Sequence, residues 1–435
     1  MNKKIKMQYQ GREEVEVEKE TPIKEVAKQF QKRYFYDILV AKVGNEIMEL
    51  SEPLLKSDCI DFYDRSSKVG YDVYARSVEF MLVLAVKRIF GKDSDVLLEH
   101  SIDKGVYCEI KDVAISEEIV AMLEEEMHKI QKEDLIYTKM SVSRMDAISF
   151  YRKRKQWDKV NVLKYISNTY INLYRLDDIY DYFYGEMAYS TKSINSFKLT
   201  YIEERGFALS YPDVENPECT LDYHHHKMLF DKIFDYTTWG RLIDIKNAAD
   251  LNREVSLGKY DHLIYLAEAY YNSQLAKVAE EIYKQRDHLK LVLIAGPSSS
   301  GKTTTSKKLE IYLKSKGLNP HQISLDDYFK NRKDTPKLPS GELDLESLRA
   351  VDVDLFNKHL VKLLDGEKVL LPEYNFIKGE REYKEKWLQL KGNDIIIIEG
   401  LHCLNEELTM SIERRQKYKI YLSPLTQLNI DNHNR

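Results

Sequence analysis

Cysteine is scarce in this sequence, with four residues in 435 and none of them in a C-x-x-C pair. A zinc knuckle needs paired thiols and a disulfide framework needs a dense, even set, so both classes are excluded. The four residues are Cys59, Cys108, Cys219 and Cys403. Scattered cysteines are typical of reduced thiols, and this pattern predicts a cytoplasmic protein.

Long hydrophobic runs are also missing. The N-terminal stretch MNKKIKMQYQGREEVEVEKE has no apolar core of the kind that signal peptides carry. The longest apolar run near a predicted helix extends from Phe80 to Val86, which is too short to cross a bilayer. We therefore expect no membrane partner.

No charge of one sign dominates, because 66 Lys and Arg residues face 71 Asp and Glu residues and the net charge is -5. This balance argues against a protein that coats nucleic acid, but it leaves room for a local basic face. The chain has no internal repeat and no low-complexity linker. With 43% hydrophobic and 31% charged residues, it predicts a folded protein of several domains.

The most informative stretch is LVLIAGPSSSGKTTTSKKL, residues 291–309. Its centre fits G-x-x-x-x-G-K-S/T, in which backbone N–H groups wrap phosphates, the lysine reaches the outer phosphates and the hydroxyl binds Mg²⁺. A buried strand over 291–295 and an amphipathic helix over 304–316 are predicted on either side, whereas an incidental Ser/Gly turn would lack that context. The predicted nucleotide-binding residues are Gly296, Pro297, Ser298, Ser299, Ser300, Gly301, Lys302, Thr303 and Thr304.

Two further apolar segments end in carboxylates. HQIS leads to Asp326 and Asp327, and DIIII leads to Glu399. Ligands of parallel sheets bind beyond the carboxyl ends of the strands, so these acids are expected beside the phosphate site. The first pair has two roles open, as a base for a substrate hydroxyl or as a holder of magnesium through water. Glu399 is expected to support the magnesium site opposite Thr303, its alternative being a strand-end cap.

Together GPSSSGKTT, SLDDYF, PEYNF and IIIIEGLHCLN resemble the uridine kinase and phosphoribulokinase family of P-loop kinases. The resemblance implies ATP and Mg²⁺ as cofactors, and transfer of the γ-phosphate to the 5′-hydroxyl of a pyrimidine nucleoside. It implies that Lys302 neutralises phosphate charge and that Asp326, before Asp327, is the base. It also implies that Asp344 contacts the ribose and Tyr374 lines the base pocket, a helix N-cap and a core aromatic being the alternatives.

The family pattern continues from IYLSPLTQLNIDNHNR into an arginine-rich lid helix. That lid is expected to be missing here, because the sequence ends within the motif. The expectation is a fragment of a longer protein, in preference to a form that binds nucleotide without efficient transfer.

The front half resembles threonyl-tRNA synthetases. TPIKEVAKQF and ILVAKVGNEIMELSEPL resemble their N-terminal β-grasp (TGS) domain, and YARSVEFMLVLAVKRIF and FALSYPDVENP resemble the editing domain that follows it. The metal-binding positions of that editing domain differ in this chain. They fall on Arg76, Phe80 and Ser210, and on Asp213 or Val214. Arginine and phenylalanine are not zinc ligands, so a binding or regulatory module without editing chemistry is expected.

These patterns predict a multidomain α+β and α/β protein. The predicted parts are a β-grasp domain over 1–66, an editing-like domain without metal ligands over 67–220, a helical connector over 221–288, and a uridine kinase-like P-loop domain with a parallel sheet over 289–435, C-terminally incomplete. A homo-oligomer is expected. Two other functions stay open: a kinase for a sugar phosphate, which needs an added cluster of arginine or lysine residues around Asp344 and Tyr374, and an ATP-gated RNA-binding regulator.

Two local runs have alternative interpretations. Arg152-Lys153-Arg154-Lys155, beside Trp157, is typical of a solvated helix face but fits an RNA contact as well. His224-His225-His226 suggests a metal site, although adjacent residues on a helix point in different directions, which favours ordinary surface or packing histidines.

Overall fold

The computed structural model describes residues 4–203, 205–424 and 428–435, and divides into two units. The front unit comprises Met1–Gly258 with Gln427–Arg435, and the P-loop unit comprises Lys259–Thr426. This division differs from the predicted one in two places. Part of the predicted connector belongs to the P-loop unit, and the last residues belong to the front unit. A multidomain α/β protein is confirmed.

The first part of the front unit is a five-stranded sheet with the order β2-β1-β5-β3-β4, on which one helix packs. β1 buries every second residue, so Ile5, Met7 and Tyr9 meet the apolar face of the helix. Within the region predicted as a β-grasp domain, the structure therefore describes a sheet and one α-helix. The elements are β1 (Lys4–Tyr9), β2 (Glu13–Glu18), α1 (Ile23–Phe30), β3 (Val40–Val43), β4 (Glu46–Glu49) and β5 (Asp58–Tyr63).

The rest of the front unit surrounds α2 (Lys68–Phe90), which is buried from Val73 to Val86 apart from Arg76. Ser67 caps its start and Gly91, at φ 98°, ends it. Two antiparallel sheets, ordered β11-β12-β7-β6 and β10-β9-β8, and five further α-helices complete the described part of the unit. The elements are β6 (Val96–Ile102), β7 (Gly105–Ile110), α3 (Glu117–Glu133), β8 (Thr138–Ser143), α4 (Arg144–Lys153), α5 (Trp157–Tyr165), β9 (Tyr170–Leu176), β10 (Ile179–Tyr182), β11 (Lys198–Ile202), β12 (Gly206–Ser210), α6 (Lys227–Leu242) and α7 (Ala248–Ser256).

Residues 428–435 lie in the front unit and are held there by buried ion pairs. Asp431 accepts a hydrogen bond from Lys159 Nζ at 2.8 Å, and the same ammonium group lies 2.8 Å from Asp181 Oδ1. His433 bonds Asp181 through Nδ1 and lies 2.9 Å from Asp95 through Nε2. Burial alone would lower the pKa of His433. The two carboxylates outweigh this effect and raise the pKa to about 10.

This histidine makes front-unit stability depend on pH. Its pKa is 6.5 in the unfolded chain and about 10 when folded, so the folded state binds more protons between these values. The contribution is complete below 6.5 and is lost as the pH rises toward 10. We expect the thermal midpoint of His433→Asn to depend less on pH over this interval than that of the wild type or of the exposed control His224→Asn. Parallel profiles would contradict the linkage.

The P-loop unit has a four-stranded parallel sheet with the order β14-β19-β13-β20 and helices on both faces. Alternate residues of β13 and β19 pack against α8 and α9 on one face and α10 on the other, which is why the four isoleucines of β19 are all buried. The elements are α8 (Tyr260–Lys284), β13 (Leu291–Ala295), α9 (Lys302–Ser315), β14 (Asn319–Ser324), α10 (Val353–Leu364), β15 (Val369–Leu370), β16 (Glu373–Asn375), β17 (Glu380–Glu382), β18 (Trp387–Leu388), β19 (Asp394–Glu399) and β20 (Lys417–Tyr421).

Within the ranges that the structure describes, we find no helix long and apolar enough to span a bilayer.

Candidate functional site

The glycine loop joins β13 to α9, as the sequence predicts. Gly301 precedes the helix at φ 86° and Ser299 lies at φ 59°, so the backbone turns through left-handed conformations before α9 begins. Gly296 has no room for a side chain, because a Cβ there would lie 2.5 Å from the carbonyl oxygen of Leu422 and 2.7 Å from Ser300 Oγ. This geometry leaves backbone N–H groups at the helix start for an anion.

We expect Gly296→Ala to weaken nucleotide binding and to cost about 1–3 kcal/mol of folding free energy, because the loop must move away from a backbone oxygen. Thermal unfolding and an ATP titration measure the two effects. Gly392→Ala is the matched control, since a Cβ at that glycine meets no atom within 4 Å. Equal behaviour of the two variants would contradict the predicted crowding.

The predicted phosphate-binding side chains lie at this loop. Lys302 Nζ donates to the carbonyl oxygens of Gly296 at 3.0 Å and Pro297 at 2.9 Å, so its ammonium group lies over the loop. Ser300 Oγ is buried and has no hydrogen-bond partner among the described residues. Ser298 and Thr304 are exposed. An unpartnered hydroxyl and a lysine over a glycine loop fit a bound phosphate chain.

Three side-chain oxygens meet beside the loop, where the sequence places the magnesium site. Thr303 Oγ1 lies 3.3 Å from Glu399 Oε1, and Ser324 Oγ lies 3.2 Å from the same carboxylate oxygen. Oxygen donors of this kind suit Mg²⁺, so the residues present fit the ion. Ser324 was not predicted, although it is the last residue of β14 and therefore at the edge where ligands bind.

Asp326 and Asp327 lie on a short 3-10 helix, Leu325–Tyr328, immediately after β14. Asp327 Oδ1 accepts a hydrogen bond from the backbone N–H of Tyr374 at 3.2 Å, so it holds the β16 strand. The carboxylate of Asp326 is solvent-accessible and accepts no hydrogen bond from the described residues. Surrounding protein raises its pKa by burial, Glu399 raises it further, and the Lys302 ammonium opposes both. Asp326 is thus the carboxylate free to take a proton.

His402 is a second residue that the sequence analysis missed. Its Nε2 is buried without a hydrogen-bond partner among the described residues, and the histidine acts to lower the pKa of the Asp326 carboxyl. It lies in the segment after β19, within GLHCLN, where the strand-end rule would have drawn attention to it.

Tyr374 and Asp344, the two residues predicted to bind the acceptor, lie in different surroundings. Tyr374 is buried and its ring makes edge contacts with Phe329 at 5.7 Å and Phe376 at 5.0 Å. Asp344 Oδ1 accepts from the backbone N–H of Ser347 at 3.0 Å, which is a turn cap. Within the described residues, no hydrogen bond or ion pair of Asp344 reaches the loop, so the structure does not join it to the other site residues.

In the front unit, the positions that match synthetase metal ligands have other partners. Arg76 Nε donates to the backbone oxygen of Glu186 at 3.0 Å, and Phe80 is fully buried beside Phe183. Asp213 pairs with Lys104 at 3.0 Å. Ser210 Oγ is buried without a partner among the described residues, and Val214 is exposed.

The premise used for the histidine run is wrong, because His224, His225 and His226 precede α6 in irregular backbone. His225 Nδ1 lies 2.9 Å from the hydroxyl of Tyr223, a packing contact. Across the described ranges, no group of three His, Cys, Asp or Glu side chains has the arrangement of a metal site. The basic run at 152–155 spans the end of α4 and the turn into α5.

A parallel sheet with a glycine loop, a lysine over that loop and a threonine–glutamate pair beside it define a P-loop nucleotide-binding domain. Residues 291–433 match the model of the Phosphoribulokinase / Uridine kinase family, and this region is a P-loop kinase domain of that family. A solved structure of a possible uridine kinase from Bacillus stearothermophilus is 22% identical, with a TM-score of 0.29, over 35% of this chain and 80% of that chain.

The N-terminal part is similar to threonine–tRNA ligases. The enzyme from Clostridium novyi is 28% identical over 197 residues, which are 45% of this chain and 31% of that protein. The one from Carboxydothermus hydrogenoformans is 31% identical over 180 residues, which are 41% of this chain and 28% of that protein. The matches span about a third of the length of these curated relatives. Both resemblances stated from the sequence are confirmed.

Proposed function

We propose that the chain is an ATP-dependent nucleoside kinase that transfers the γ-phosphate of ATP to the 5′-hydroxyl of a pyrimidine nucleoside. The observation that carries this proposal is the unpaired carboxylate of Asp326, which stands after β14 beside the phosphate loop. A phosphate cradle alone would serve any nucleotide-binding protein. A free carboxylate next to it supplies the base that an alcohol acceptor needs.

The side chains divide the work of such a transfer. Magnesium, when bound, neutralises the charge that develops on the phosphates. Thr303 and Glu399 would hold the ion, and the ammonium group of Lys302, which lies over the loop, would neutralise charge on the outer phosphates. Asp326 accepts the proton of the attacking hydroxyl. Burial and the neighbouring Glu399 raise its pKa, which makes it a better base than an ordinary carboxylate.

The surroundings of Tyr374 support an uncharged, planar acceptor. Three aromatic rings (Phe329, Tyr374 and Phe376) pack together there and offer a surface for a base. A sugar phosphate would need free basic groups, and five cations of this region are engaged. They pair as Arg381–Asp352 at 2.8 Å, Lys384–Glu373 at 2.7 Å, Lys378–Glu382 at 2.8 Å and Lys386–Asp327 at 3.9 Å, and Arg332 donates to the Phe376 carbonyl at 2.9 Å.

Incubation of the chain with magnesium, ATP and a panel of nucleosides and sugar phosphates tests the proposal, with the phosphorylated product measured directly. Uridine or cytidine is expected to be the best acceptor. Lys302→Ala is expected to lower kcat/KM by about 10²–10³-fold, because positive charge at the transferring group is lost. Lys307→Ala, an exposed lysine of the same helix, is the control.

Two results would redirect the proposal. Preference for a sugar phosphate would favour the alternative kinase, and would require the paired cations to separate. ATP binding without any product, together with salt-sensitive binding of tRNA, would favour the regulator.

A further inference from the structure

A cleft in the front unit is lined by Lys153, Arg154 and Lys155, which belong to the basic run at 152–155 and have no role in the proposed kinase reaction. It has a volume of about 1130 Å³ and is lined by the C-terminal end of α2, the turn between α4 and α5, and the start of α7. A cavity of this size is ample for a small ligand, since ligand pockets commonly hold about 300–1,000 Å³. We infer that this α4–α5 cleft binds a free nucleoside phosphate.

The charges of the cleft favour an anion. Eight Lys or Arg residues and six Asp residues line it. Several of the acids are already engaged: Asp178 with Lys92, Asp250 with Arg253, and Asp95 with His433. Four lining lysines, by contrast, are exposed and have no carboxylate within 4.0 Å among the described residues. They are Lys111, Lys153, Lys155 and Lys246. Their uncompensated charge attracts phosphate groups.

The backbone between α4 and α5 adds to the positive electrostatic field of these lysines. Lys155 lies at φ 58°, and this left-handed turn separates the end of α4 from the start of α5. Gln156, the residue before α5, makes no side-chain capping bond to the helix N–H groups. The positive end of this nine-residue helix therefore lies between the lysines, beside Asp158 of its own first turn.

Two neighbouring groups suit the base of a nucleotide. Trp157 is 54% exposed although it is the first residue of α5, so its ring can stack on a planar ligand. The side-chain oxygen of Gln156 is buried and has no hydrogen-bond partner among the described residues. It can accept a hydrogen bond from an N–H group on a base edge. Lysines beside an exposed tryptophan and a free acceptor match a nucleoside phosphate better than a simple anion.

The same cleft is less suited to an RNA strand. The aspartates on its walls and the net charge of -5 repel an extended polyanion. A compact phosphate group can meet the lysines without passing the acids. The cleft lies in the front unit, outside the P-loop unit, so the inference does not depend on which acceptor the kinase domain uses.

Equilibrium dialysis of the full chain against labelled ATP measures the number of nucleotide-binding sites per chain and their affinities. The wild type is expected to bind two nucleotides per chain. Lys153→Glu/Lys155→Glu is expected to weaken one site about tenfold or more, since charge-assisted contacts are lost, and to leave the other unchanged. Lys302→Ala is expected to affect the other site alone. Trp157→Ala should weaken the cleft site, and Trp157→Phe should restore most of the affinity.

Lys19→Glu/Lys32→Glu, at two exposed lysines of the front unit, reproduces the charge change away from the cleft and should bind like the wild type. A single site in the wild type, or equal binding by the cleft and control variants, would overturn the inference. So would an adenine oligoribonucleotide that binds more tightly than ATP and loses binding in the cleft variant, because the occupant would then be RNA.

Discussion

Asp326→Asn is expected to lower kcat by about 10²–10⁴-fold while ATP still binds, because the amide cannot accept the proton of the attacking hydroxyl. Asparagine keeps the size of the side chain, so packing around the 3-10 helix should not change. Single-turnover formation of product measures the chemical step, and an ATP titration shows that the phosphate site persists. Burial and the neighbouring Glu399 raise the pKa of Asp326, which is the direction expected of a base acting near neutral pH.

Asp327→Asn is the matched comparison, since it makes the same chemical change one residue away. Asparagine can still accept the hydrogen bond that Asp327 takes from the N–H of Tyr374 at 3.2 Å. We therefore expect Asp327→Asn to change kcat only slightly. Any larger effect should appear in the KM for the acceptor. If Asp327→Asn loses more kcat than Asp326→Asn, the roles of the two acids are reversed.

The parts of the site that the sequence predicted are those set by short-range rules. The phosphate loop is contiguous, and its glycines are needed for local reasons, at Gly296 by a backbone oxygen and at Gly301 by a left-handed turn. Glu399 follows from the rule that ligands lie beyond strand ends, and the structure places it 3.3 Å from Thr303. Ser324 obeys the same rule, but serine is too common at strand ends for its type to signal a role.

The sequence patterns could not predict contacts between residues that are far apart in the chain. Lys159 pairs with Asp431 across 272 positions, and no periodicity or motif connects a residue in α5 with a segment after β20. The sequence predicted a helical connector over 221–288, but it could not show that α8 belongs with the P-loop unit. Tyr271 of α8 bonds Thr305 of α9 at 2.7 Å, a contact that depends on how two helices pack.

Lys159→Met is expected to destabilise the front unit by about 3–5 kcal/mol, the usual cost of leaving buried carboxylates without their cation. The side chain of Lys159 is 1% exposed, and its ammonium group lies 2.8 Å from both Asp181 and Asp431. Burial alone would lower its pKa, but the two carboxylates outweigh that effect and raise it well above the usual value. The lysine is therefore charged in the folded state, and its removal leaves an excess of buried negative charge.

Lys164→Met, on the same helix, tests whether the effect comes from the ion pairs. Lys164 is exposed and its ammonium group contacts only Asn161 among the described residues, at 2.9 Å, so its loss should cost less than about 0.5 kcal/mol. Adding Asp431→Asn to Lys159→Met should recover part of the lost stability, because one unpaired carboxylate is removed. Urea unfolding followed by circular dichroism compares the variants. Equal losses for Lys159→Met and Lys164→Met would mean that residues 428–435 are not held by this lysine.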